Sequence, residues 1–256
     1  GVYAYYKPPY IQTMREHVLL ALEAFPAESK LVIFGSSLTR SFHKALKLAV
    51  VLHDFGKTPF NQAKAETLQS ERELTFPGHE LISGWIAYKA LVCSPDAAGI
   101  LGVPREELTG NKLGQIISLV IMLHHHPMDL RKRLDMFKKD LTLLQVSKHD
   151  VDVFTNSLKG ILNVHIGLDE DLFHKLLVNA IGEGEVSAAE IAEIAGQIFN
   201  QLTNTVLVNS APIHRKIFLL LLQGLVAADY CSARARGGDS VSVFSESIRM
   251  FVELYG

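Results

Sequence analysis

The chain has 256 residues, 48% hydrophobic and 20% charged, with a formal net charge of −2. That length and apolar share predict a sizeable buried core in one large domain or a domain carrying an insertion. The charge excludes a global attraction to nucleic acid, so any such contact rests on local patches.

Read in chain order, the sequence is mostly helical. An apolar period runs from Tyr10 to Phe25 and stops at Pro26. Leu31 to Phe34 is a candidate short strand. Ser41 to Leu52 reads as a helix that ends near Gly56. Helices follow over His79 to Val92, after Pro77-Gly78, and over Leu113 to His124, entered from Thr109-Gly110-Asn111. Asn163 to Gly167 is a strand or a turn, and Gly182-Glu183-Gly184-Glu185 is a loop. Ser187-Ala188-Ala189-Glu190 is a capping box that opens a helix to about Leu202. Pro212 to Ala233 is long and strongly apolar, and Val243 to Leu254 is a closing helix.

Cys93 and Cys231 have no metal-ligand spacing and fit a reducing compartment. The polar, aromatic start does not read as a signal peptide. The run Ile217 to Leu225 is short and closely flanked by His214-Arg215-Lys216 and Asp229, so it predicts a buried helix rather than a membrane span. A cytoplasmic chain without a membrane partner is expected.

The residues with most chemistry are His53 and Asp54, at the end of the apolar run Ala45 to Leu52 and before Phe55-Gly56-Lys57. Mixed nitrogen and oxygen donors suit Zn, Mn, Fe, Co or Ni better than an all-oxygen site would. His17 stands upstream in Met14-Arg15-Glu16-His17, and His79 follows Phe76-Pro77-Gly78. Leu123-His124-His125-His126 closes another apolar run, and Asp229 lies in Ala228-Asp229-Tyr230. Asp229 sits in an apolar helix, where an unpaired carboxylate is costly and a metal or a hydrogen-bond network removes the cost.

These five elements, in this order, resemble the HD superfamily of metal-dependent phosphohydrolases. The finer resemblance, over about residues 10 to 236, is to the stand-alone HD nuclease of type I CRISPR systems. It implies an all-α HD-domain core with an insertion between the fourth and fifth motifs. Residues 1–256 would form a single domain in which about 127–210 elaborate the core. The resemblance also implies two divalent metal ions (Mn, Ni, Co, Fe or Mg). His17, His53, Asp54 and Asp229 would hold the first, and His79, His124 and His125 the second, with Asp54 shared. Three consecutive residues on a helix cannot all face one site, so His124-His125 is the expected pair and His125-His126 the alternative register.

Asp54 and Lys57 are the candidate catalytic residues. Lys57 either meets a substrate phosphate as a point charge or is a solvated lysine after the cap. The clusters Arg131-Lys132-Arg133 with Lys138-Lys139, Arg215-Lys216, and Arg234 with Arg236 could track a phosphate backbone. His43, His149, His165, His174 and His214 match no family position and read as surface or packing. No GxxxxGK[ST] phosphate loop is present, so no helicase motor is legible.

The implied activity is hydrolysis of single-stranded DNA, and possibly RNA, in type I CRISPR interference. A separate helicase subunit and a guide-RNA effector complex would be the partners. The rival readings are an HD phosphohydrolase acting on nucleotides or cyclic nucleotides, and a helical signalling module with a degenerate site.

Overall fold

A computed structural model describes residues 1–63, 73–101, 110–125, 144–237 and 243–256. The chain opens with two antiparallel strands, β1 (Tyr3–Lys7) and β2 (Tyr10–Thr13), with Lys7 opposite Tyr10. The expected helix therefore begins later than Tyr10, as α1 (Met14–Glu23). Thr13 is the reason. Its backbone is extended, its hydroxyl accepts from the Glu16 N–H, and the Glu16 carboxylate accepts from the Thr13 N–H. This capping box fixes the helix start one turn before His17.

Helix α2 (Lys30–Leu38) replaces the short strand considered for Leu31 to Phe34. Ser29 caps it by accepting from the Val32 N–H, and Leu31, Val32 and Gly35 are buried while Ile33 and Phe34 are exposed. That spacing is helical and does not alternate as a strand would. Helix α3 (Phe42–Leu52) is buried almost throughout and delivers His53 as its C-cap residue. A turn leads into α4 (Lys57–Ala63).

Left-handed Gly78, with φ 72°, starts α5 (His79–Leu91). Next come α6 (Ala97–Leu101) and α7 (Gly110–Leu123). Between residues 144 and 208 lie β3 (Gln145–Val146), α8 (Lys148–Ser157), α9 (Glu170–Ile181), β4 (Val186–Ser187) and α10 (Ala188–Leu202), with β3 and β4 paired antiparallel. Asn163 to Gly167 is a turn: a π-helical segment, Leu162–Ile166, ends at Gly167 with φ 69°. Ser187 caps α10 by accepting from the Glu190 N–H. Helices α11 (Pro212–Ala235) and α12 (Val243–Tyr255) complete the order.

The fold is thus all-α on an HD-type core, with two small sheets among the described residues. α5 packs along α7, and α11 packs on α1, α3 and α7. α9 and α10 cover α5, and their apolar residues join the same buried cluster as α3, α5 and α7. Gly84 lets α5 approach α7: a Cβ there would lie 2.2 Å from Met122. Helix α11 is long and apolar enough to cross a membrane by length and composition, with a mean hydropathy of 1.4. Here it is a core helix, with Ile217, Leu221, Leu225 and Ala228 buried.

Candidate metal centre

Five elements deliver the site. His17 comes from the second turn of α1, His53 and Asp54 from the end of α3, and His79 from the first residue of α5. His124 and His125 follow the last residue of α7, and Asp229 lies in the fifth turn of α11. Because α7 stops at Leu123, the two histidines escape the 100° helical rotation between neighbours, and both face the site. His126 and the cluster Arg131 to Lys139 lie outside the described residues.

The donors fall into two groups that meet at Asp54. In the first, His17 Nε2 lies 3.3 Å from His53 Nε2, 3.3 Å from Asp54 Oδ2 and 3.2 Å from Asp229 Oδ1. His53 Nε2 is 3.5 Å from Asp54 Oδ2 and 3.6 Å from Asp229 Oδ1. In the second, Asp54 Oδ1 lies 3.3 Å from His79 Nε2, which is 2.9 Å from His125 Nε2. His124 is within reach of both groups, with His79 and His125 on one side and His53 and Asp54 on the other. The structure therefore brings together all seven residues assigned as ligands from the sequence.

Backbone carbonyls set the histidine tautomers. His53 Nδ1 donates to Val50 O at 2.6 Å, His79 Nδ1 to Phe76 O at 2.7 Å, and His124 Nδ1 to Ile121 O at 2.6 Å. His17 Nδ1 donates to Ser232 Oγ at 2.8 Å, beside Gln12 Oε1 at 3.2 Å, while Ser232 Oγ donates to His17 O. With the hydrogen of the neutral ring spent on Nδ1, Nε2 is the atom turned toward the site, with its lone pair available to a metal. Sequence reading missed Gln12 and Ser232. Ser232 stands three residues after Asp229 on one helix face, and that spacing is the signal that could have found it.

The donor set fits metal. Donors around an ion at roughly 2.0–2.2 Å lie roughly 2.8–3.6 Å apart; the contacts given above run from 2.9 to 3.6 Å, and the donors of each trio (His79, His124 and His125; His17, His53 and Asp229; His53, Asp54 and His124) lie within 4.8 Å of one another. His124 Nε2 is buried with no hydrogen-bond partner, and the Nε2 atoms of His17 and His53 face each other at 3.3 Å and those of His79 and His125 at 2.9 Å. A buried polar atom left in that state is costly, and a cation among these atoms removes the cost.

Electrostatics agree. Burial lowers His17 below the ordinary histidine range, against the pull of Asp229 and Asp54. Burial pushes His124 down to about 3, helped by the charge of His53, and takes His125 well below its usual value. For His53, burial is outweighed by Asp54 and Asp229, which raise it. Burial works to raise Asp54 and Asp229, but His53 and His17 hold both well below the carboxylate range, with Lys57 and His79 also acting on Asp54.

Lys57 is buried, and its Nζ donates to Asp54 Oδ2 at 2.7 Å while lying 5.7 Å from the centre of the Phe76 ring. It is not the solvated lysine considered from the sequence. Gly56 holds the turn against α5. Its N–H donates to Ser83 Oγ, and a Cβ there would come 2.1 Å from His79 O. Only a residue without a side chain lets Asp54 approach His79 this closely.

A cleft of about 560 Å³ opens onto His17, His79, His124, His125, Asp229 and Lys57. Of the basic clusters within the described segments, Arg236 lines this cleft, and Arg215, Lys216 and Arg234 do not. His43 donates to Phe25 O and His174 lies 2.7 Å from exposed Asp152, so both have the structural roles expected of them. His149, His165 and His214 also stand outside the cleft.

Fold and site together define a helical protein built on an HD core. The chain is similar to a curated protein named CRISPR-associated endonuclease Cas3-HD, from Methanocaldococcus jannaschii. The two are 26% identical over 193 residues, covering 75% of this chain and 70% of the relative. No family model matches the chain, and no solved structure matches it.

Proposed function

We propose that this chain is a metal-dependent HD nuclease that hydrolyses phosphodiester bonds of single-stranded DNA in type I CRISPR interference, with single-stranded RNA as the other substrate to be tested. The observation that carries the reading is the convergence of His17, His53, Asp54, His79, His124, His125 and Asp229 beneath one cleft, which His17, His79, His124, His125 and Asp229 line while His53 and Asp54 lie buried behind them. The similarity to a CRISPR-associated endonuclease supports the same assignment. A separate helicase subunit would supply unwound strand, and a guide-RNA effector complex would select it.

Divalent transition metals, when bound, supply Lewis acidity toward a phosphoryl oxygen and activate water at neutral pH. The chain's own residues prepare the site. His17, His53, Asp54 and Asp229 would hold one ion, and His79, His124 and His125 the other, with the two oxygens of Asp54 facing the two groups. The carbonyls of Val50, Phe76 and Ile121 keep three rings turned with Nε2 inward. Lys57 keeps a positive charge at the floor, paired with Asp54, where a substrate phosphate would enter. The apolar walls of α3, α5 and α7 behind the donors limit water to the cleft side.

The test compares fluorescent single-stranded DNA, RNA, nucleoside triphosphates and cyclic nucleotides with Mn²⁺, Co²⁺, Ni²⁺ or Ca²⁺. Cleavage of single-stranded DNA that stops in chelator, and returns with the transition metals better than with Ca²⁺, is the expected result. Full activity in excess chelator overturns the metal assignment. Turnover of nucleotides with no strand cleavage moves the protein to the small-substrate HD phosphohydrolases. No turnover of any substrate by metal-loaded protein indicates the signalling module.

A further inference from the structure

Four rings of the metal centre are held in two different ways. His53, His79 and His124 each reach the carbonyl three residues back, those of Val50, Phe76 and Ile121. Val50 and Ile121 lie in the last turn of their helices, where carbonyls are left open, and Phe76 lies before the start of α5. His17 stands inside α1, and the carbonyl three residues back, that of Met14, belongs to the helix ladder. Its Nδ1 therefore takes a partner from outside its own helix.

Two buried side chains supply it, Gln12 of β2 and Ser232 in the last turn of α11. Gln12 Nε2 donates to Ser232 O at 2.9 Å, and that carbonyl decides which end of the amide is nitrogen. Gln12 Oε1 then faces His17 Nδ1 at 3.2 Å as an acceptor. The single proton of Ser232 Oγ goes to His17 O at 2.8 Å, so Oγ also meets Nδ1, at 2.8 Å, as an acceptor. Two acceptors leave the neutral ring one tautomer, with hydrogen on Nδ1 and the lone pair on Nε2. Ser232 follows Asp229 by three residues, so the helix that supplies one donor of the first group also fixes another.

Resting on the two-ion reading above, we infer that Gln12 and Ser232 are positioning residues for the first ion alone. Their hydrogen bonds to the centre run to His17, a donor of the first group. Without them the ring is free to turn, or to carry its hydrogen on Nε2, where the first ion would bind. His79 and His124 of the second group keep their carbonyl locks, which no side-chain substitution at Gln12 or Ser232 removes. Loss of the pair thus turns a protein that holds two ions into one that holds the second and has lost its grip on the first.

The experiment strips the protein with chelator and titrates Mn²⁺ into wild type, Ser232→Ala, Gln12→Leu and Ser232→Thr by calorimetry. Electron paramagnetic resonance reports whether the ions are paired, and the melting temperature of the metal-free protein reports the fold. Wild type takes up two ions. Ser232→Ala and Gln12→Leu each weaken one of them about 10- to 100-fold, the usual loss for an outer partner of a ligand, and leave the other unchanged. At a Mn²⁺ concentration that fills both sites of wild type, these variants show the spectrum of an isolated ion rather than that of a coupled pair. Ser232→Thr keeps the hydroxyl and stays within a few-fold of wild type.

Equal weakening of both ions overturns the inference and makes the pair a support of the fold. Unchanged binding of both ions in Ser232→Ala and Gln12→Leu also overturns it. So does a loss in Ser232→Thr as large as in Ser232→Ala at an unchanged melting temperature. Should Ser232→Ala not fold, the comparison of Gln12→Leu with Ser232→Thr decides by the same criteria. Wild type that takes up fewer than two ions overturns the two-ion reading itself, and the role of the pair with it, a result seen before any variant is compared.

Discussion

At the scale of single residues, Asp54 carries the most. Its Oδ2 faces His17 and His53, its Oδ1 faces His79, and Lys57 binds the same carboxylate. Asp54→Asn therefore removes charge from both donor groups at once. We expect activity to fall by more than about 100-fold, beyond what loss of an outer partner gives. Far-UV circular dichroism should stay helical and bound metal should drop; a wild-type rate with lowered stability would make Asp54 a cap. The histidine run gives a second test, because His124 and His125 meet His79. His124→Ala and His125→Ala should lose metal and activity, and His126→Ala should keep most of both. Loss confined to His125 and His126, measured by metal content, would move the ligand pair by one residue. These donors were legible in the sequence because their order matches that of the HD superfamily and each stands beside an apolar run. The partners that orient His17 were not, since Gln12 and Ser232 meet it only through the fold.

At the scale of elements, the turn between α3 and α4 is the tightest piece of construction. The sequence reading took Gly56 as a helix stop, and the structure adds that it is pressed on the backbone of His79. Gly56→Ala should destabilise the protein by about 1–3 kcal/mol, the range for overpacking, and should loosen the donors around His79 as well. Gly99, in α6, has nothing near its missing Cβ. Gly99→Ala should leave activity unchanged and add up to about 1 kcal/mol of helix stability. Thermal melts of the two variants decide, and equal effects would remove the special role of Gly56. The apolar helices α3, α7, α10 and α11 were readable from sequence, and α5, buried nearly all round, was read from its start after Pro77-Gly78. The strands were not: Tyr3 to Lys7 carries no complete apolar alternation, and β2 shares its apolar residues with the period of α1. The possible strand at Leu31 to Phe34 failed because four apolar residues fit either period until a cap decides.

At the scale of the whole molecule, the segment from 144 to 208 lays α9 and α10 on α5. We take residues 1–256 as one domain on that ground, with the segment elaborating the core. Metal should then stabilise the molecule as a unit. At a concentration about 100 times its Kd, an ion that binds only the folded state adds about 2.7 kcal/mol. Mn²⁺ should raise the melting temperature in a single transition, and Asp54→Asn should abolish most of that rise. Two separate transitions, one of them blind to metal, would split the chain into two domains.

The bond from Ser232 to His17 joins residues 215 apart in the chain. The donor group around His17 thus draws on the two ends of the described core, α1 and α11, and no continuous fragment lacking either can complete it. Non-local closure of this kind is slow relative to local helix formation. In refolding from denaturant, helicity should return first and the capacity to capture Mn²⁺ later, at the rate at which α11 docks on α1. A chain cut short in synthesis, or trimmed before α11, would be an inert helical fragment. Potential harm to nucleic acid is thereby deferred until the molecule is whole.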